Sequence, residues 1–206
     1  MNDEKTFLVK IKGASPLIMH NSEGADPENK WSKEMAPLKA KRKKTESDSK
    51  SIRDLSFISS LYWSAELDGV YMPVDNVSKM ILEAGRACDQ RSAKKQIVGV
   101  SFDKYLGWPL NVKNRSDIEI LKNDESTKYF KIVTIGKAKV PSVRAIFKEW
   151  SFEFNIVIDC SIVNPSAIES WIEYAGKRIG LGCRRPYAPT PGPYGKFYIE
   201  EFKEVK

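Results

Sequence analysis

Histidine and cysteine are scarce in this chain. One histidine, His20, and three cysteines, Cys88, Cys160 and Cys183, stand among 206 residues. An odd, widely spaced cysteine set builds no disulfide framework. No C-x-x-C pair occurs, and a lone histidine leaves a zinc site without its usual donors. No apolar run reaches the roughly 18 residues of a membrane span. The opening Met1-Asn-Asp-Glu-Lys5 lacks the apolar core of a signal peptide. A reducing, cytoplasmic location with no membrane partner is therefore expected. Walker loops, H-E-x-x-H, G-x-S-x-G and paired-carboxylate signatures are also missing. Gly180-x-Gly182 follows a helical pattern rather than a strand, so it is no dinucleotide fingerprint. No cofactor and no metal are expected.

Acidic residues are the minority charge. Lys and Arg number 34 against 27 Asp and Glu, a formal net charge of +7. Such a balance suits a polyanionic partner. The excess sits in two places. Residues 30–53 hold nine basic groups, Lys39, Lys41, Arg42, Lys43 and Lys44 among them, and three acids, for a local +6. Residues 177–196 hold Lys177, Arg178, Arg184, Arg185 and Lys196 and no acid.

The second of these regions contains Gly180-Leu-Gly-Cys-Arg-Arg-Pro-Tyr-Ala-Pro-Thr-Pro-Gly-Pro-Tyr-Gly195. Gly180, Gly182, Gly192 and Gly195 let the backbone reach positive φ and pass close to a ligand. Arg184 and Arg185 bring permanent charge and forked donors that fit phosphate. Tyr187 and Tyr194 bring flat faces for stacked bases. Glycine, arginine and tyrosine in one loop favour nucleic acid over a small molecule.

Hydrophobic periodicity organises the rest. Residues 6–12 alternate as a half-buried strand. Residues 22–50 are charged and poor in aliphatics, which predicts a long, basic, flexible insertion. Helices are predicted over 52–65 and 75–87, a short strand over 69–73, and a short helix or basic loop over 90–100. Strands are predicted over 117–121, 129–135 and 143–159, the last long enough to make a hairpin arm or a bent strand. Asn164-Pro165 opens a helix with the apolar stripe Ile168, Trp171, Ile172, Ala175, Ile179, and Gly180 stops it. Residues 196–202 close as a strand. The expected fold is a single α+β domain, 1–206, with a ferredoxin-like, RRM-like β-α-β-β-α-β core and one open sheet face.

Three segments resemble the RAMP superfamily of CRISPR systems, its backbone subunits above all. These are Ser15-Pro-Leu-Ile-Met19 after strand one, Val70-Tyr-Met-Pro73 leading into the helix from Asp75 to Arg86, and Lys177-Arg-Ile-Gly-Leu-Gly182 through Gly192-Pro-Tyr-Gly-Lys-Phe197. Solitary phage-encoded members are similar. The resemblance implies a ferredoxin-like core with a thumb-like hairpin and RNA held along the palm.

The expected activity is non-catalytic binding of single-stranded nucleic acid, RNA before DNA. The expected contacts are Lys39, Lys41, Arg42, Lys43, Lys44, Lys177, Arg178, Arg184, Arg185, Tyr187, Tyr194 and Lys196. CRISPR-complex proteins and further copies of the chain are alternative partners, the former for a phage inhibitor or accessory. A second alternative is a metal-independent endoribonuclease with His20 as general base, since its pKa lies near working pH.

Overall fold

The computed structural model describes residues 3–88, 92–136 and 138–205. The fold is mixed α+β. Its strands are β1 Glu4–Gly13, β2 Leu17–Ile18, β3 Trp63–Ser64, β4 Gly69–Pro73, β5 Val100–Phe102, β6 Gly107–Pro109, β7 Lys128–Ile135, β8 Ala138–Phe147, β9 Ser151–Asp159 and β10 Phe197–Val205. Its α-helices are α1 Lys30–Ala40, α2 Glu46–Ser60, α3 Val74–Cys88, α4 Ala93–Gln96, α5 Ile118–Asn123 and α6 Pro165–Tyr174.

The main sheet has the order β10-β1-β9-β5, antiparallel throughout. β1 and β5 therefore point the same way with β9 between them, and β9 and β10 point the same way with β1 between them. α3 lies on the first crossover and α6 on the second. Alternation decides the faces. Phe7, Val9 and Ile11 of β1 and Phe152, Phe154, Ile156 and Ile158 of β9 are buried. Val77, Ile81 and Ala84 of α3 and Ile168, Trp171 and Ile172 of α6 meet them in one core. Lys10 and Lys12 point the other way, with Lys10 Nζ 2.9 Å from Glu201 and 3.8 Å from Glu153. Glu200 is the extra residue where the β1–β10 register shifts beside Lys10, and it lies 3.8 Å from Lys12.

Two smaller sheets complete the scaffold, β3-β4-β6 and β2-β8-β7. β7 and β8 form a hairpin that turns at Gly136, where φ is +59°.

Several expectations are corrected by these elements. The stretch 22–50, expected as a flexible insertion, carries α1 and the start of α2. Its order comes from caps rather than an apolar stripe. Asn29 and Thr45 accept from the free amides of the first turns of α1 and α2, and Met35 is its buried anchor. Residues 117–121 are not a strand. The Asp117 side chain accepts from the Ile120 amide and starts α5, a cap that outweighs the Ile-Glu-Ile alternation. The single strand 143–159 is two, β8 and β9, broken at residues 148–150. Residues 90 and 91 of the segment 90–100 lie outside the described residues; the remainder holds α4 and then β5, an edge strand of the main sheet. Among the described residues no helix is long and apolar enough to cross a membrane.

Candidate functional site

α6 runs past its last regular turn into a π-helical turn, Ala175–Ile179, and stops at Gly180, whose amide donates to Ala175 O at 2.8 Å. The chain then crosses the exit of β1. Cys183 N donates to Ile18 O at 2.7 Å, Gly195 N to Pro16 O at 2.8 Å, and Ala14 N to Lys196 O at 2.8 Å. Lys196 N donates to Ser15 Oγ at 2.9 Å. The Ser15–Met19 segment and the glycine loop, two motifs far apart in sequence, thus form one structure. Glycine is required here. Gly182 and Gly195 have φ of +73° and +70°, and a Cβ would stand 2.5 Å from Ile18 O and 1.8 Å from Leu181 O. Arg184 takes the same left-handed region with φ +55°, rare for a residue with a side chain. The amides of Gly182 and Arg184 donate to no backbone carbonyl among the described residues.

The loop forms one wall of a cleft of about 620 Å³. α3 contributes Asn76, Lys79 and Met80, the hairpin contributes Lys131 to Val133 and Arg144, and the β2 exit contributes His20. Strand alternation places Tyr129, Lys131 and Arg144 on one face of the hairpin, toward the loop. Tyr129 meets Tyr194 edge to face, centroids 5.6 Å apart. The base of the other hairpin face packs beside α2. Arg53 lies over Phe130 at 5.3 Å, and Lys128 Nζ is 3.5 Å from Asp54.

Lys79, Lys131, Arg144, Arg184 and Arg185 therefore converge, and no Asp or Glu is among the described residues that line the cleft. Their engagement differs. Arg185 donates to Glu83 Oε2 at 2.6 Å in a part-buried ion pair that pins the loop to α3. Arg144 Nη1 donates to Cys183 Sγ at 2.6 Å. Arg184 Nε is buried without a partner. A buried unpaired donor costs about 1–3 kcal/mol, so it calls for a ligand or a strain rationale. Tyr62 OH donates to His20 O at 3.0 Å and fixes that backbone. His20 is exposed, but the concave wall strips part of its hydration. Desolvation first, and the Arg144 charge second, lower its pKa below 6.5. Neutral His20 is thus the dominant form at pH 7.

The residues expected to act together divide into three groups. His20, Gly180, Gly182, Arg184 and Arg185 line the cleft. Gly192, Gly195, Tyr194 and Lys196 support the loop behind it, with Tyr194 spent on Tyr129. The rest lie elsewhere. Lys177 and Arg178 are exposed on the π-helical turn. Tyr187 is exposed on the outer side of the loop, beside Arg86 and Lys94. Lys39, Lys41, Arg42, Lys43 and Lys44 line no part of the cleft. They lead into α2, which packs on the opposite face of the hairpin, and Lys41 Nζ is held 2.6 Å from Asp48. The two basic regions do not share one trough. Nor is the open face of the main sheet a cationic platform, because Lys10 and Lys12 are matched there by glutamates.

Sequence reasoning missed Lys79, Lys131 and Arg144. Arg144 carried a signal: it is the one charge inside the apolar run Val143-Arg-Ala-Ile-Phe147. A paired strand with a lone arginine usually aims it at something. No protein-family model and no curated protein matches the chain.

Proposed function

We propose that the protein is a non-catalytic binder of single-stranded nucleic acid, RNA in preference to DNA, with a RAMP-like fold. The observation that carries this reading is the convergence of Lys79, Lys131, Arg144 and Arg184 on a cleft wall with no acid among its described residues. Fixed cations on rigid elements, next to unspent loop amides and a left-handed arginine, suit phosphate oxygens. On this reading one strand lies in the cleft with its bases turned out. The order β10-β1-β9-β5, with two interlocked split β-α-β crossovers, supports a ferredoxin-like core. The hairpin β7–β8 and the joined Ser15–Met19 and Gly180–Gly195 segments support the likeness to CRISPR backbone subunits. RNA preference rests on that likeness.

Binding of a fluorescein-labelled oligouridylate, followed by anisotropy, tests the assignment. Arg144→Ala and Arg184→Ala should each weaken it by about 1.5–3 kcal/mol, the range for hydrogen bonds to charged groups. Lys43→Ala, away from the cleft, should change it by less than about 0.5 kcal/mol. Equal affinity in wild type and the Arg144/Arg184 double variant would dispose of the site.

His20 favours a second reading, because it lines the same cleft as Arg144 and is neutral at pH 7. It then has a free lone pair to take a 2′-hydroxyl proton, with the arginines stabilising the phosphorane charge. Cleavage of labelled RNA in EDTA that disappears in His20→Ala would establish this; intact RNA removes it.

A further inference from the structure

α3 carries a stripe that begins in the cleft and ends outside it. Asn76, Lys79 and Met80 line the cleft. Glu83, one turn on, holds Arg185. Arg86 and Ala87, one turn further, line a second hollow of about 560 Å³. Positions spaced by three and four share one side of a helix. The step from Asn76 to Arg86 covers about 15 Å of helix axis.

The second hollow is completed by Lys94 of α4 and by Tyr187. Tyr187 is 57% exposed, an unusual state for an aromatic ring on a well-anchored loop. Pro186 and Pro189 flank it, and fixed φ angles keep the loop from collapsing over its own ring. Tyr187 N donates to Ile179 O at 3.2 Å and Ala188 N to Arg185 O at 3.2 Å. Ala188 faces the cleft and Tyr187 faces the hollow. The Arg185–Glu83 pair is therefore the ridge between two cationic depressions. An exposed ring beside two exposed cations, with no acid among the described residues lining the hollow, has the chemistry of a nucleotide seat. A base stacks on the ring while its phosphate meets Arg86 and Lys94.

We infer that this hollow is a second nucleotide subsite, which receives the continuation of a strand held in the cleft. The inference rests on the reading of the cleft proposed above. Anisotropy with labelled oligouridylates of about 4 and about 12 nucleotides, within the range of single-strand site sizes, tests it. Wild type should bind the longer oligonucleotide more tightly. Tyr187→Ala and Arg86→Ala should each weaken the longer one by roughly tenfold and leave the shorter one unchanged. Tyr187→Phe, which keeps the ring face, should behave as wild type. Both positions are exposed, and unchanged melting temperatures would verify the fold. If both lengths bind equally, or if Tyr187→Ala and Arg86→Ala are silent while Arg144→Ala still weakens binding, the second subsite is overturned and the cleft stands. If wild type binds neither length, the cleft reading falls and this one with it.

Discussion

His20 feels two pressures of the same sign: a wall that strips its water and the positive charge of Arg144. Both disfavour imidazolium, so the folded pKa lies below the unfolded value near 6.5. The unfolded chain then takes up the proton first as pH falls. The contribution to stability is present above pH 6.5 and is lost as pH drops through the folded pKa. A bound polyanion reverses one of the pressures. NMR titration of the imidazole ring should give a pKa under 6.5 in the free protein and a higher one with an oligonucleotide bound. A free-protein value above 6.5 would contradict a desolvating, cationic surrounding for His20. Arg184 is the complementary case. Its left-handed backbone and buried, unpartnered Nε are local costs that a phosphate in the cleft would offset.

The α1–α2 junction shows how an element can be held by caps. Thr45 Oγ1 accepts from Asp48 N at 3.1 Å, and Asp48 Oδ2 accepts from Thr45 N at 3.0 Å. Lys41 and then the Thr45 amide hold the Asp48 carboxyl at about 2, below its usual 3.8. A depressed carboxylate stabilises above its unfolded pKa and ceases to do so as pH falls through its folded one. Asp48→Asn should therefore lower the melting temperature at pH 7, and the difference from wild type should shrink as pH falls from 3.8 through about 2. A pH-independent difference would mean that the ion pair is not the cause. The stretch reads as flexible in the sequence because its polar surface hides a single buried apolar anchor, Met35. Periodicity was sufficient where an apolar stripe meets a broad core, as in β1, α3 and α6. It failed for α5, where one cap decides, and for β5, whose three residues are too short to show a period. The loop half of the cleft was legible as glycine and arginine in one run. The hairpin half was not, because the pairing that turns Lys131 and Arg144 toward that loop is long-range.

Across the whole molecule, charge is sorted by what it faces. On the outer face of the main sheet Lys10 and Lys12 sit in a ladder with Glu153, Glu200 and Glu201. Such exposed pairs add little stability, but they leave that face without a net cationic field. Among the described residues that line the cleft none is acidic, and Glu83 beside it takes Arg185. Four cations remain for a ligand, Lys79, Lys131, Arg144 and Arg184. Neutralising four phosphates of a single strand should give a slope of log affinity against log salt of about −3. The salt dependence of affinity for the oligouridylate of about 4 nucleotides, which occupies the cleft alone, is thus the most direct test. A slope near −3 that falls toward about −1.5 in the Arg144→Ala/Arg184→Ala double variant is the predicted result. A slope near zero, or one that the double variant leaves unchanged, would contradict a nucleic-acid site in this cleft.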